Sequence, residues 1–148
     1  MRIWGVGVVL LVGLAACQPA ADPQVVGRAG VSVGADGVPV AHFVTCGESF
    51  VAEIEVRLRD GVPEDEIAPL VGSAVPADSF ERGQVVLGAD VVPKWDPDLR
   101  YWVEAEHADG DEVIEPAVFQ RAHLDHLADG QVIAGDGETV RLELLHTC

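Results

Sequence analysis

Phe50-Val51-Ala52-Glu53-Ile54-Glu55-Val56-Arg57-Leu58 sets Phe50, Ala52, Ile54, Val56 and Leu58 on one side and Glu53, Glu55 and Arg57 on the other. Successive side chains of a strand point to opposite faces, so this stretch reads as a half-buried β-strand with one wet face. A β-branched run at 38–45 precedes it, ending at Cys46, and Gly47-Glu48-Ser49 supplies a turn between the two. Further strand-like runs occupy 84–91, 100–106, 113–119, 131–134 and 139–145. Asp109-Gly110 and Asp136-Gly137 offer tight-turn chemistry between neighbouring runs. Residues 60–79 carry Pro63, Pro69, Pro76 and several acids, and read as loop with at most one helical turn at 64–70. No long amphipathic helix and no repeat interrupts the pattern. The expectation is an all-β, antiparallel β-sandwich with extra C-terminal strands, folded as one domain over 31–148.

The chain of 148 residues has a formal charge of −16. So acidic a surface repels phosphate backbones, whose binding depends on Lys and Arg neutralising them, and nucleic acid is excluded as a partner. Attraction to anionic lipid through a polybasic patch is disfavoured for the same reason. Basic proteins, basic peptides and cations remain electrostatically admissible, beside the simpler reading of a solubilising surface.

The N-terminus has its own logic. Met1 and Arg2 give a positive start, and 3–16 form an apolar run too short to span a bilayer but suited to a secretory signal. Its ending, Leu14-Ala15-Ala16-Cys17, resembles the lipobox of bacterial lipoproteins. That resemblance implies a signal peptide of 1–16, cleavage before Cys17 and acylation of the Cys17 thiol, with palmitate-type chains holding the protein to a membrane. An ordinary cleaved signal and a buried N-terminal helix are the alternatives. Residues 17–30, rich in Pro, Ala and Gly, read as a lipidated tether. Gln18 carries no Asp-type retention signal, so the resemblance implies sorting to the outer membrane of a Gram-negative cell, or the outer face of the single cell membrane otherwise.

With Cys17 assigned to lipid, Cys46 and Cys148 remain, an even pair in an oxidising exported setting, and a disulfide between them is expected. A free reactive thiol is the alternative. The loop closed would hold about 102 residues, for which the chain-entropy model gives ~4.7 kcal/mol.

Leu99-Arg100-Tyr101-Trp102-Val103-Glu104-Ala105, followed by Asp109-Gly110, is similar to the late strand of fibronectin type III and other immunoglobulin-like domains. The resemblance implies that Tyr101 bonds back to the backbone at a corner, with Val103 and Ala105 in the core. The chain departs from that pattern in lacking a Trp in its early strands and in continuing past Phe119.

Residues able to carry chemistry are few. His123-Leu124-Asp125-His126 is the metal candidate, with His107 and His146 elsewhere: a His-x-x-His pair on one helical face can hold Zn²⁺ or Cu²⁺. The His-Glu-x-x-His spacing of zinc peptidases is absent. Asp96-Pro97-Asp98, Asp109-Gly110-Asp111-Glu112 and Asp136-Gly137-Glu138 could offer oxygen to Ca²⁺, but none fits an EF-hand and Asp-Gly is what turns require. Ser32, Ser49, Ser73 and Ser79 lack a Gly-x-Ser-x-Gly surround. No catalytic residues and no cofactor are expected. Trp102 points away from Tyr101, Val103 and Ala105. If its face is solvated it is a partner anchor; we expect residues 120–148 to cover it, since a stretch of that length must pack somewhere. The function expected is that of a non-enzymatic, lipid-anchored cell-envelope protein binding a protein or another ligand. The alternative is an envelope metal-binding protein using His123 and His126.

Overall fold

The computed structural model describes residues 24–46, 51–63, 65–76, 82–107 and 112–145. The signal segment, Cys17, Gly47-Glu48-Ser49, Phe50, Ser79, Asp109-Gly110, His146 and Cys148 lie outside them. The elements are β1 (Gln24–Val33), β2 (Pro39–Thr45), β3 (Val51–Leu58), β4 (Leu70–Ala74), β5 (Arg82–Val86), β6 (Arg100–His107), β7 (Glu112–Glu115), β8 (Ala117–Gln120), α1 (Arg121–Leu124), β9 (Gln131–Ala134), β10 (Glu138–Arg141) and α2 (Leu142–Leu145). They form two sheets. One runs β10-β9-β1-β2-β5 with β7 also on β1; the other runs β4-β3-β6-β8. The sheets pack face to face as an all-β sandwich, with Val31, Ala41 and Phe43 of the first meeting Ile54, Val56, Val103 and Phe119 of the second in one core.

Alternation places most of this. Tyr101, Val103 and Ala105 are buried while Trp102, Glu104 and Glu106 face outward. In β3, Ile54 and Val56 are buried as expected, but Val51 and not Ala52 enters the core. A bulge between Val51 and Glu53 reverses the side-chain phase there.

Several expectations need correction. Residues 24–30, assigned to a tether, belong to β1, a ten-residue strand pairing with β2, β7 and β9, so the domain starts before residue 31. Residues 70–74, assigned to loop, form β4 on the edge of the second sheet. Around residue 66 the chain makes a single turn, with the Glu66 N–H on the Pro63 carbonyl, rather than a helix. The run at 113–119 is two strands in different sheets: β7 lies on β1 and β8 on β6. Pro116 stands at the changeover, where it has no N–H to give a ladder. The β1–β7 pair is parallel, so the sandwich is not purely antiparallel. β5 ends at Val86, and the apolar letters beyond it are Leu87 and Val92, core residues held on a turn. After β10 the chain coils into α2, whose Leu145 packs with Val44 and Ala134 on the outer side of the first sheet.

Two strand glycines are required by close approach. A Cβ on Gly27 would overlap the Val44 carbonyl oxygen, and one on Gly72 would overlap that of Val91.

The corner leading into β6 is held by the Tyr101 hydroxyl. The Asp96 N–H donates to the Tyr101 hydroxyl at 2.8 Å, five residues upstream. Trp95 packs edge-on against Tyr101 at 4.8 Å between ring centroids and against Phe119 at 5.7 Å, so the bulky indole enters the core from this corner. Tyr101→Phe keeps the ring and removes the bond. We expect a loss of about 1 kcal/mol, read as a lower urea midpoint with unchanged slope; an unchanged midpoint would show that the corner does not depend on the hydroxyl.

Candidate partner-binding face

The outer face of the second sheet is built by the register of its two central strands. β3 and β6 set Glu53 beside Glu106, Glu55 beside Glu104 and Arg57 beside Trp102. β4 and β8 extend the last row, with Leu70 beside Arg57 and Val118 beside Trp102. Antiparallel pairing with period-two alternation puts all of these side chains on one surface.

None of residues 121–145 lines the hollow around Trp102. Residues 121–145 pack instead on β1, β8, β9 and β10, completing the first sheet and closing its outer side. The reason is topological: β9 has a free edge of β1 to pair with, next to β7. Trp102 is half-buried under its own neighbours. The Arg59 guanidinium lies 5.8 Å from its ring centroid, and Arg57, Glu66, Ile67, Ala68 and Glu104 complete a hollow of about 220 Å³ around it. Its indole N–H is buried with no hydrogen-bond partner among the described residues. Ile67 on the rim is 86% exposed and Leu70 53%.

Arg57 organises the charges. It donates to Glu55 and to the Ala68 carbonyl, and lies 3.9 Å from a Glu104 carboxylate oxygen. Burial on the sheet pushes the Glu104 carboxyl above its ordinary pKa; Arg57 pulls it down, and Glu55 and Glu106 raise it further. At the far corner Asp60 accepts from the Arg100 N–H at 2.6 Å and from its guanidinium at 2.7 Å, and these bonds, the backbone one first, lower its pKa. The carboxylate oxygens of Glu53, Glu55 and Glu106 come within 4.8 Å of one another.

The other candidates are distributed without convergence. His123 and His126 are both exposed at the end of the one-turn α1 and join no cluster of three metal-ligating groups among the described residues. Asp96 uses a carboxylate oxygen to accept the Asp98 N–H, a turn bond. Gly137 has φ +98°, the left-handed conformation the β9–β10 turn needs of a glycine after Asp136. Ser32 bonds the His42 ring at 2.7 Å, on the first sheet. A second cleft of about 460 Å³ lies between the β1–β2 turn and α1, lined by Trp95, Lys94 and Arg121. Arg121 is already engaged there by Asp125 and the Gly37 carbonyl. Cys46 ends its stretch beside β2, its N–H on the Val26 carbonyl.

Sequence reading found Trp102, Glu53, Glu55 and Arg57 as outward-facing but did not bring the two strands together. Ile67 was hidden in an apparent loop. The β6 alternation of Trp102, Glu104 and Glu106 was the available signal for the rest.

Fold and face together define a small β-sandwich that displays an aromatic and carboxylate-rich sheet surface. No family model matches the chain, and comparison with curated proteins and with solved structures gives no match.

Because the raised Glu104 pKa means that the folded state holds its proton more tightly, this group favours folding at low pH. That contribution fades as pH rises from the unfolded value through the raised one. Glu104→Gln is therefore expected to raise thermal stability at pH 7 by roughly a few tenths of a kcal/mol, since Glu104 is partly exposed and screened. The gain should vanish near pH 4; a gain independent of pH would assign it to packing.

Proposed function

We propose that this chain is a non-enzymatic, lipid-anchored envelope protein that binds a protein partner through the outer face of β4-β3-β6-β8. The lipobox-like Leu14-Ala15-Ala16-Cys17 supports acylation at Cys17 and a place on the cell membrane or outer membrane, with the domain facing periplasm or exterior. The observation that carries the binding role is Trp102: a half-buried aromatic on the outer sheet face, its indole N–H without a hydrogen-bond partner among the described residues and an exposed Ile67 at the rim of its hollow. Trp is enriched among the residues that carry most of the energy of protein interfaces. The His123/His126 metal reading has no comparable support, since among the described residues the two exposed side chains join no cluster of metal-ligating groups.

A Cys46–Cys148 disulfide belongs to the same proposal. Support comes from Leu145, which packs with Val44 and so brings the C-terminal chain alongside the end of β2. In an exported protein such a bond would tie the last residue to the sandwich.

Cross-linking in intact cells of the native host, followed by affinity purification and mass spectrometry, tests the role. We expect a stoichiometric partner that is lost with Trp102→Ala; capture unaffected by that change, or reproducible turnover of a substrate by the purified protein, would overturn the reading. The same digest should show an acylated Cys17 peptide and, without reductant, a Cys46–Cys148 peptide. An unmodified Cys17 in membrane fractions would remove the anchor.

A further inference from the structure

We infer that the partner presents a basic, extended segment to this face, with one cationic side chain over Glu53, Glu55 and Glu106 and one apolar side chain against Trp102 and Ile67. This rests on the reading of the face as a docking surface and adds the chemistry of what docks.

The charge arrangement carries the first half. Glu53 faces Glu106 and Glu55 faces Glu104 directly across the β3–β6 ladder. Like charges directly opposite each other on a sheet repel and destabilise it. Arg57 relieves one row by engaging Glu55 and Glu104. Among the described residues no cation pairs with Glu53 or Glu106, and the outer row there is uncompensated. A lysine ammonium has three donors and a guanidinium five, which suits carboxylates converging within 4.8 Å. A divalent ion suits the place less well. Ca²⁺ takes six to eight oxygens, usually from a loop that wraps it, whereas three side chains standing on a sheet reach it from one side. The chain as a whole, at −16, selects the same sign of partner and repels anionic lipid and nucleic acid.

Trp102 carries the second half independently. The hollow that holds its ring has Ile67 on its rim, 86% exposed, which leaves apolar surface for a partner side chain. Trp102 and Glu106 are four residues apart on β6, about 13 Å at ~3.3 Å per residue. An extended segment places side chains i and i+4 on one side at that same spacing, so both subsites can be filled by one strand-like stretch.

The test uses full-length lipidated protein in detergent micelles and a fluorescein-labelled 12-residue peptide carrying arginines with one leucine four residues from the central arginine. Fluorescence anisotropy should report saturable binding that weakens with added salt, as exposed charge pairs are screened. Glu53→Gln with Glu106→Gln should weaken binding about tenfold, the size of roughly one charge contact. Trp102→Phe, which keeps the fold's aromatic bulk but removes the N–H, should weaken it less. Glu138→Gln, on the β9–β10 hairpin, should leave it unchanged, and a peptide with glutamates for arginines should not bind. Equal affinity for the wild type and the double glutamine variant overturns the inference, as does absence of binding to wild type. Stoichiometric Ca²⁺ uptake abolished by the double variant also overturns it, in favour of a metal site. A host partner captured through Trp102 whose contact segment is not basic would leave the docking role standing and remove only this inference.

Discussion

The fold hangs on the hydrogen-bonding edges of β1. At ten residues it extends about 33 Å, long enough to serve three neighbours. One edge pairs with β2 along Gly27–Val33; the other is shared, its first half parallel to β7 and its second antiparallel to β9. The parallel half draws the chain across from the second sheet after β6, and Pro116 releases it to return as β8. The antiparallel half recruits the C-terminal hairpin. Without β1 both the junction between the sheets and the dock for β9 and β10 would be lost.

That recruitment makes the two outer faces unequal. On the first sheet α2 lies over β1 and β10, and Leu145 closes a small apolar cluster with Val44 and Ala134. On the second sheet the described chain supplies no such cover, and the surface keeps Trp102 beside a double row of glutamates. A face built for solvent alone would gain from interleaving opposite charges across its strands. This one does so only at Arg57, which is why we propose an external partner for the remainder.

Much of the β architecture is legible in local patterning, because a strand with one wet face alternates. β2, β3, β6 and β9 fall close to where alternation and β-branched runs put them. The bond between the Asp96 N–H and the Tyr101 hydroxyl was not legible in the local pattern and entered the expectations only through the likeness of 99–105 to an immunoglobulin-like strand. Two strands were not legible, β1 and β4, and both contain glycines. Gly27, Gly30 and Gly72 look like linker punctuation, yet each lies where another segment approaches: Val44 at Gly27, Val132 and Leu145 at Gly30, Val91 at Gly72. At Gly27 and Gly72 the missing side chain is required by backbone 17 and 19 residues away, and Gly30 is packed tightly by side chains more than 100 residues away; no local window contains those neighbours. The candidate face was half legible, as outward letters on two separate strands, and the register joining them was not.

By itself, then, the sequence determined the class of fold, the inward set of β6, the turn at Asp136-Gly137 and the acidic character of the chain. These follow from side-chain periodicity, backbone preference and charge, which act within a few residues or by simple summation. Tertiary structure alone decided that 24–33 is the central strand, that 113–119 divides between sheets, and that none of residues 121–145 lines the hollow around Trp102. Each of those outcomes depends on which strand edge is available to pair with, and an edge exists only once the other strands have assembled.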